Sequence, residues 1–263
     1  MDTRPVGMFD SGVGGLGVLR AFRRLAPNEH VVYFADTAWF PYGPRPQAEV
    51  RKRAFAITRR LLESDVKLIV VACNTASAAA LHELREAFSF VPFVGMVPGL
   101  KPAAERSRSH RVAILATPGT FDGELYQRVV DEYGRGTRVS SVPGHNLAAL
   151  VEAGKANTPE ARAAIRDALG AEVAEGADTV VLGCTHYAFL AGDIRAEFPG
   201  VDVIDTSEAV ARRAVDVLAS EGIAAPDGQI GELRLIVSHD RRRFEAAMEQ
   251  LGFAPRAAME VTP

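Results

Sequence analysis

Short apolar runs alternate along the chain with longer stretches in which apolar residues recur every three or four positions. The short runs are rich in β-branched residues and end at small or polar residues, which is typical of buried parallel strands. The longer stretches carry charges between their apolar positions, as amphipathic helices do. The pattern predicts strands at 6–10, 31–35, 68–72, 92–96, 111–116, 139–143, 179–183, 201–205 and 233–237. It predicts a helix that ends near residue 25 and further helices at 47–64, 75–88, 122–132, 146–153, 159–175, 207–221 and 241–251, and it shows a helical pattern after Cys184 as well.

The order of these elements repeats in the second half of the chain. A strand with a small polar turn after it ends at Asp10 and again at Ala116. Each lies at a similar distance before a strand that leads into a cysteine, Cys73 in the first half and Cys184 in the second. Such a repeat indicates one structural unit used twice.

The repeat predicts an α/β protein made of two pseudo-symmetric domains with mainly parallel sheets. The length of 263 residues suits two domains of about 100 to 150 residues each. We expect the second domain at 97–207 and the first at 1–96 plus 208–263, because the last elements are too few for a third domain. The active site is expected in the cleft between the domains, at the carboxyl ends of their strands.

A glycine-rich segment after the first strand favours an alternative function. Residues 12–17 satisfy the G-x-G-x-x-G fingerprint of dinucleotide-binding proteins, and Asp36 follows the second strand about where a ribose-binding acid lies. On this ground the chain could be an NAD-dependent oxidoreductase. Two observations count against it, since the charge of Asp10 would oppose a pyrophosphate and the two cysteines would have no role.

Composition and charge narrow the classes of partner. The formal net charge of -3 argues against a nucleic-acid binder, and the arginine-rich clusters at 51–53 and 241–243 are predicted to be solvated helix faces. No apolar run reaches the ~18 residues of a membrane span, and the first residues lack the apolar core of a signal peptide. We therefore expect a cytoplasmic protein with neither a membrane nor a nucleic-acid partner.

The two cysteines are the strongest candidates for chemistry. Their wide separation excludes CxxC redox and zinc patterns, and the six histidines show no metal-ligand spacing. A thiol at a helix start is expected to have a lowered pKa, because the helix dipole favours the thiolate. Two such thiols facing one small molecule suit the removal of a proton from one face of a carbon and its replacement on the other, as in racemisation. The alternative is that both are ordinary buried cysteines.

Three ionisable residues are candidates for assisting the thiols. Asp10 ends the strand expected beside that of Cys73, His186 lies two positions after Cys184, and Glu152 lies on the side of the second cysteine. Each also has a structural alternative. Asp10 could cap the first helix, His186 could be a hydrogen-bonded packing residue, and Glu152 could be a solvated helix residue.

Residues able to bind the carboxylate and ammonium groups of an amino acid lie at the same strand ends and in the loop at 37–46. The prolines and glycine of this loop are incompatible with a helix, and its aromatic residues make it a candidate wall of the site, although Trp39 is predicted to be a local packing anchor. The candidates are Ser11, Tyr42, Gly43, Asn74, Thr75 and Thr185, with Thr117 and Thr120 as weaker additions. Such residues are also routine helix caps.

Several of these segments together resemble the glutamate racemases, a cofactor-independent family in the aspartate/glutamate racemase superfamily. The matching segments are FDSGVGGL at 9–16, PYG at 41–43, ACNTA at 72–76, VE at 151–152 and LGCTHY at 182–187. The resemblance implies an isomerase with two flavodoxin-like domains, commonly a homodimer, that needs no cofactor. It also implies interconversion of L- and D-glutamate, which supplies D-glutamate for peptidoglycan and so supports cell wall biogenesis and cell shape.

The resemblance further implies roles for individual residues. It makes Cys73 and Cys184 the two catalytic acid/bases, and it implies substrate contacts at Asp10, Ser11, Tyr42, Gly43, Asn74, Thr75, Thr185 and His186. Ala188 stands where the family usually has proline, and residues 44–46 also depart from the family pattern. Aspartate and glutamate differ by one methylene, worth about 1–3 kcal/mol in a pocket. A racemase of aspartate or another amino acid therefore remains an alternative, as does a binding protein without catalytic activity.

Overall fold

The computed structural model describes residues 1–261 and contains two β-sheets in which all strand pairs are parallel. The strands are β1 (Val6–Asp10), β2 (Val31–Ala35), β3 (Leu68–Val71), β4 (Phe93–Gly95), β5 (Arg111–Ala116), β6 (Arg138–Pro143), β7 (Thr179–Gly183), β8 (Asp202–Ile204), β9 (Leu233–Val237) and β10 (Met259–Glu260). One sheet has six strands in the order β10-β9-β2-β1-β3-β4, and the other has four in the order β6-β5-β7-β8.

Helices connect the strands, as the parallel pairing requires. They are α1 (Leu16–Leu25), α2 (Gln47–Leu62), α3 (Asn74–Ala87), α4 (Leu100–Arg106), α5 (Pro118–Phe121), α6 (Glu124–Tyr133), α7 (Leu147–Glu152), α8 (Pro159–Ala174), α9 (Ala191–Glu197), α10 (Ser207–Ser220) and α11 (Arg241–Gln250). Short 3₁₀ helices occupy Thr37–Trp39 and Thr185–Leu190. Within residues 1–261, no helix combines the length and apolar character that crossing a membrane requires.

The two sheets share one strand order, which confirms the predicted α/β fold with duplicated halves. The order β2-β1-β3-β4 in the first sheet matches β6-β5-β7-β8 in the second. Asp10 and Ala116 end the equivalent strands β1 and β5, and the cysteines follow the equivalent strands β3 and β7. Every predicted strand is present. The exact domain limits, 96/97 and 207/208, stay predictions.

Some elements depart from the sequence prediction. The loop expected to exclude helix contains the 3₁₀ turn at Thr37–Trp39, and the helical segment after Cys184 starts as 3₁₀ rather than α-helix. Helices α4 and α5 and the edge strand β10 were not predicted at all. These elements are short, so each offers too few positions for its apolar periodicity to stand out.

The C-terminal segment returns to the first sheet, as expected. β9 pairs with β2 from Leu233 beside Val31 to Val237 beside Ala35, which places it between β2 and β10. A buried ion pair lies just before the starts of β2 and β3, where Lys67 Nζ is 2.7 Å from Glu29 Oε2. The other oxygen of Glu29 accepts a hydrogen bond from the backbone nitrogen of Ala225, which ties the returning segment to the first half.

Apolar side chains fill three clusters, and the largest joins the two sheets. Alternate residues of a strand point to opposite faces, so Met8 packs in this shared cluster while the adjacent Phe9 packs in a second one. The shared cluster also contains Leu115 from β5 and Tyr187, which follows Cys184. The two halves are therefore packed against each other beneath the carboxyl ends of their strands.

Candidate active site

Both cysteines occupy the same structural position in their halves. Cys73 follows β3 and precedes α3, and Cys184 follows β7 and precedes the 3₁₀ helix at Thr185–Leu190. Both have extended backbone conformations, with φ of -142° and -143°, because each is the last residue before a helical turn. Both are buried and line a single cavity of about 180 Å³. The predicted meeting of the two thiols at one cleft is therefore observed.

The cavity is small compared with the roughly 300–1,000 Å³ of pockets that hold drug-sized ligands. It lies at the carboxyl ends of the strands of both sheets, where parallel α/β sheets bind their ligands. Nine of the predicted site residues line it: Ser11, Tyr42, Gly43, Cys73, Asn74, Thr75, Cys184, Thr185 and His186. Asp10 and Glu152 are absent from this lining but contact it, Asp10 through Thr185 and Glu152 through His186.

The Cys73 thiol is harder to ionise than the sequence led us to expect. Burial raises the pKa of the Cys73 thiol well above its usual value, and the charge of Asp10 acts in the same direction. Backbone N–H groups of Ala76 and Ser11 favour the thiolate, but they do not outweigh burial. The predicted lowering of the pKa is therefore wrong for Cys73, because desolvation exceeds the effect of the helix N-terminus.

Asp10 is a fully buried acid beside Cys73. β1 pairs directly with β3, so the strand ends that carry these two residues are neighbours, as predicted. The two carboxylate oxygens accept hydrogen bonds from the Gly12 backbone nitrogen at 2.9 Å and from Thr185 Oγ1 at 3.0 Å. Burial nevertheless raises the pKa of Asp10 to about 6. Asp10 can therefore exchange a proton near neutral pH, and its bond to Thr185 connects it to the second half.

Glu152, His186 and Cys184 form a chain of contacts on the opposite side. His186 Nε2 is 2.7 Å from Glu152 Oε1, and His186 Nδ1 is 3.9 Å from Cys184 Sγ. Burial opposes a charge on His186, but the contacts with Cys184 and Glu152 and the charge of Asp10 outweigh it, and the pKa of His186 is raised well above its usual value. Glu152 is buried on the side of Cys184, as expected, and is not the solvated helix residue of the alternative.

The glycine-rich loop after β1 is occupied by side chains of the protein itself. The backbone nitrogens of Gly12 and Val13 donate to the carboxylates of Asp10 and Glu152. A Cβ at Gly12 would lie 1.8 Å from Glu152 Oε1, and one at Gly14 would lie 2.5 Å from the His186 ring. The glycines thus admit residues of the second half, and the structure contradicts the alternative in which they bind a pyrophosphate.

Asp36, the other part of that alternative, is also engaged. It is fully buried and accepts two hydrogen bonds from Arg53, at 2.6 and 2.7 Å, and one of 2.5 Å from Tyr42 Oη. Burial and the charge of Asp36 raise the pKa of Tyr42 well above its usual value. Tyr42 lines the cavity, and its hydroxyl is already engaged by the carboxylate of Asp36.

Asn74 is the clearest polar group available to a ligand. It is the first residue of α3, is 3% exposed and lines the cavity, yet neither its side-chain oxygen nor its nitrogen has a hydrogen-bond partner. Leaving a buried amide unpaired is costly unless a ligand or water pairs with it. Thr75 is different, since its hydroxyl already contacts Thr117 Oγ1 at 2.9 Å and Thr120 Oγ1 at 3.4 Å.

Several residues of the lining were not singled out by the sequence. The Phe40 ring packs against the His186 ring at an interplanar angle of 48°, with ring centroids 5.5 Å apart. The others are Pro41, Pro44, Pro118, Gly144, His145, Asn146, Ala148 and Ala149. Residues 144–149 follow β6, so their place at a strand end was the available signal. Phe40 was noted only as part of an aromatic loop.

Comparison with known proteins relates the whole chain to amino-acid racemases. A family model described as Asp/Glu/hydantoin racemase matches residues 16–214. A glutamate racemase of Deinococcus radiodurans is 44% identical over 250 residues, which are 94% of this chain and 86% of that protein. The crystal structure of the Thermus thermophilus glutamate racemase with β-chloro-D-alanine is 40% identical, with a TM-score of 0.83 over 100% of this chain and 98% of that one. The Escherichia coli glutamate racemase with L-glutamate and an activator is 31% identical, with a TM-score of 0.85 and 98% of both chains covered.

Proposed function

The chain belongs to the Asp/Glu/hydantoin racemase family and is an isomerase of amino acids, and we propose that it interconverts L- and D-glutamate by proton exchange between two thiols. The observation that carries the proposal is the placement of Cys73 and Cys184 on one small cavity, each at the end of an equivalent strand. The substrate is proposed because the relatives are glutamate racemases and one was crystallised with L-glutamate.

The two thiols alone account for both proton transfers of the proposed reaction. The thiolate of one cysteine takes the proton from Cα of glutamate, which breaks the C–H bond and leaves the electron pair on carbon. The thiol of the other cysteine then gives its proton to the opposite face of Cα and becomes a thiolate. The enzyme ends with its thiols in the reverse protonation state, ready for the opposite enantiomer. Because the thiols supply both proton transfers, the proposal needs no cofactor.

The surrounding residues would make this difficult proton transfer possible. Asp10, whose pKa is about 6, can accept a proton on the side of Cys73, and His186 can exchange one with Cys184 while Glu152 holds its ring. The carbanion bears charge on the α-carboxylate, which the unpaired amide of Asn74 and the N–H groups at the start of α3 can stabilise. A buried cavity strengthens these interactions because water is excluded.

The proposal extends to features that follow from the family. We propose that the product D-glutamate supplies peptidoglycan synthesis, which places the enzyme in cell wall biogenesis and the control of cell shape. We also propose a cytoplasmic homodimer whose subunits each have domains at 1–96 plus 208–263 and at 97–207. Substrate contacts are proposed for the lining residues Ser11, Gly43, Asn74, Thr75, Thr185 and His186 and for the ring of Tyr42.

Exchange with solvent deuterium tests the reaction and the substrate together. The protein is incubated with L-glutamate in deuterated water, and the product is analysed by circular dichroism and mass spectrometry. We expect D-glutamate that carries one deuterium at Cα, because the proton delivered comes from a thiol that equilibrates with solvent. L-aspartate under the same conditions is the comparison. Inversion of aspartate but not of glutamate would show that aspartate is the substrate. Inversion of neither amino acid would contradict the proposed function.

A further inference from the structure

The two halves of the molecule are joined by hydrogen bonds along one rim of the catalytic cavity. The loop after β2 meets α5 of the second half, and both backbone polar groups of Gly119 in α5 form hydrogen bonds to the first half. Its nitrogen donates to the Gly43 carbonyl oxygen at 2.9 Å, and its carbonyl oxygen accepts from Gln47 Nε2 at 2.6 Å. Gln47 is the first residue of α2, so its side chain reaches from the first sheet to the second.

The fit between these segments is close enough to require glycine on both sides. A Cβ at Gly119 would lie 2.8 Å from the carbonyl oxygen of Gly43, and a Cβ at Gly43 would lie 2.7 Å from Thr117 Cβ. Such distances are within van der Waals contact, and the first involves backbone that cannot easily move aside. We call this contact between residues 43–47 and 117–120 the seam. Two side chains of the first half form hydrogen bonds to it: Gln47 to the Gly119 carbonyl oxygen, and Thr75 to the hydroxyls of Thr117 and Thr120.

Opening this seam would open the cavity. Gly43 and Pro44 line the cavity on one side of the seam, and Thr117 and Pro118 line it on the other. The helix α5 contains only four residues and has few internal hydrogen bonds to hold it in place. Segments of this kind lie at the low end of local stability and are the ones that move when a site opens.

We infer that Gln47 is a positioning residue that clasps α5 across the cleft and holds the substrate cavity closed. The inference rests on the proposed function, since it assigns a part in substrate capture to a residue outside the lining. Gln47 does not line the catalytic cavity, so it does not act on the substrate directly. It shifts the balance between closed and open forms towards the closed form, in which the thiols and α5 surround the ligand.

The inference predicts a separation of binding from chemistry when the clasp is removed. The net contribution of a neutral hydrogen bond is about 0.5–1.5 kcal/mol, so Gln47→Ala should raise KM about 2- to 10-fold. The value of kcat should change less than about 2-fold, because saturating substrate restores the closed form. Gln47→Glu keeps the size of the side chain but cannot donate to a carbonyl oxygen, and it should behave as Gln47→Ala does.

The amide of Gly119 gives a readout that does not depend on activity. Its hydrogen bond to Gly43 is made across the seam, so removing the clasp should speed its hydrogen–deuterium exchange by about the same 2- to 10-fold factor. Gln127→Ala is the matched control. Gln127 donates to the Phe121 carbonyl oxygen at the end of the same helix, at 3.4 Å, but makes its bond within the second half. It should leave both KM and the exchange of Gly119 unchanged.

The outcomes separate this inference from the proposed function. Faster exchange at Gly119 in both Gln47 variants, together with the rise in KM, supports the clasp. Unchanged exchange at Gly119 overturns it, as does an equal effect of Gln127→Ala. If the wild-type protein fails to invert glutamate but Gly119 still exchanges faster in the Gln47 variants, the clasp is supported and the proposed substrate is contradicted.

Discussion

The carboxylate of Glu152 accepts a 2.7 Å hydrogen bond from the backbone nitrogen of Val13, in the other half of the molecule. The same oxygen lies 2.7 Å from His186 Nε2. One buried carboxylate thus fixes the histidine beside Cys184 and the glycine-rich loop that follows β1. The loop resembles a dinucleotide fingerprint in sequence, but its glycines serve contact between the two halves.

Adding a methyl group at Gly12 tests this contact. The Cβ of Gly12→Ala would lie 1.8 Å from Glu152 Oε1, so the carboxylate must move and break its bonds to Val13 and His186. We expect a loss of about 3 kcal/mol of unfolding free energy, because hydrogen bonds to charged groups contribute about 1.5–3 kcal/mol each. Urea denaturation measures the loss, and kcat/KM should fall with it.

The control for this variant is Gly170→Ala. Gly170 lies within α8 and a Cβ there would meet no atom within 4 Å. Replacing a glycine inside a helix by alanine should stabilise the protein by about 0.5–1 kcal/mol and leave activity intact. Equal behaviour of the two variants would show that Gly12 has no special contact.

Asp10→Asn should change how stability depends on pH. The pKa of Asp10 is raised from 3.8 to about 6 in the folded state by burial, so folding favours the protonated acid. The contribution of protonated Asp10 to the free energy of unfolding is therefore fully present below about pH 3.8, and the wild type loses it as the pH rises through about 6. Asparagine does not titrate, so the free energy of unfolding of the variant should rise relative to that of the wild type by on the order of 3 kcal/mol across this interval. Denaturation at pH 4 and pH 7.5 measures the gain, and equal pH dependence in both proteins would contradict it.

Asn74→Ala should impair catalysis without harming the fold. The side chain of Asn74 has no hydrogen-bond partner in the free protein, so its removal costs no native bond. We expect kcat/KM to fall by about 10-fold or more, since a buried partner of the substrate carboxylate is lost. The midpoint of thermal unfolding should stay the same or rise, because alanine has the higher helix propensity.

Ser77→Ala on the same helix is the matched control for Asn74→Ala. The Ser77 hydroxyl donates to the Val71 carbonyl oxygen at 3.1 Å and accepts from the Met96 nitrogen at 2.9 Å, and the residue lies outside the catalytic lining. This variant should lose about 1–3 kcal/mol of stability and keep its kinetic constants. If Asn74→Ala lost stability and kept its kinetic constants while Ser77→Ala lost activity, Asn74 would not be a substrate-binding residue.

Tyr42→Phe should distinguish the contribution of the Tyr42 ring from that of its hydroxyl. The hydroxyl donates to Asp36, which also accepts from Arg53, and Tyr42 is one of the residues that line the cavity. We expect a loss of about 1–3 kcal/mol of unfolding free energy, because the buried carboxylate loses a donor. The KM for glutamate should change little. A large rise in KM with unchanged stability would mean that the hydroxyl binds substrate.

Cys73→Ala and Cys184→Ala test the two-thiol mechanism. Each variant lacks one of the two proton carriers, so each should lose racemisation in both directions by about 10²-fold or more. Circular dichroism of the glutamate solution follows the inversion, and far-ultraviolet spectra check that both variants fold. Substantial activity in either variant would exclude the proposed mechanism. Binding of glutamate without inversion in the wild type would instead favour a binding protein.

The parts of the fold that the sequence predicted well are those with strong local patterns. The strand that ends at Asp10 and the strands that precede Cys73 and Cys184 are apolar runs with small or polar residues after them, so both their type and their meeting at one cleft followed from the pattern. The helix α5 escaped prediction because it has four residues, although Pro118 at its first position is a known helix-start signal. The contact between Gln47 and Gly119 joins positions far apart in sequence, and no local pattern encodes it.

The sequence predicted which residues form the candidate site better than it predicted how readily they ionise. The spacing of small polar residues at strand ends located Ser11, Asn74 and Thr185 in the lining, where the structure has them. It could not give the raised pKa of Cys73, because that depends on how completely the surrounding chain removes water from the sulfur. The hydrogen bond from the Tyr42 hydroxyl to Asp36 also could not be foreseen, since no sequence pattern shows that these two side chains meet.

The position of β9 has a consequence for how the protein is made. β2 is fully buried in the finished sheet, and its outer edge pairs with residues that begin at Leu233. During translation that edge therefore stays bare while the ribosome synthesises the whole second sheet, and an unpaired apolar strand edge is a template for wrong association. Chaperone binding to the nascent chain should be concentrated on this strand, and it should end when β9 leaves the ribosomal tunnel.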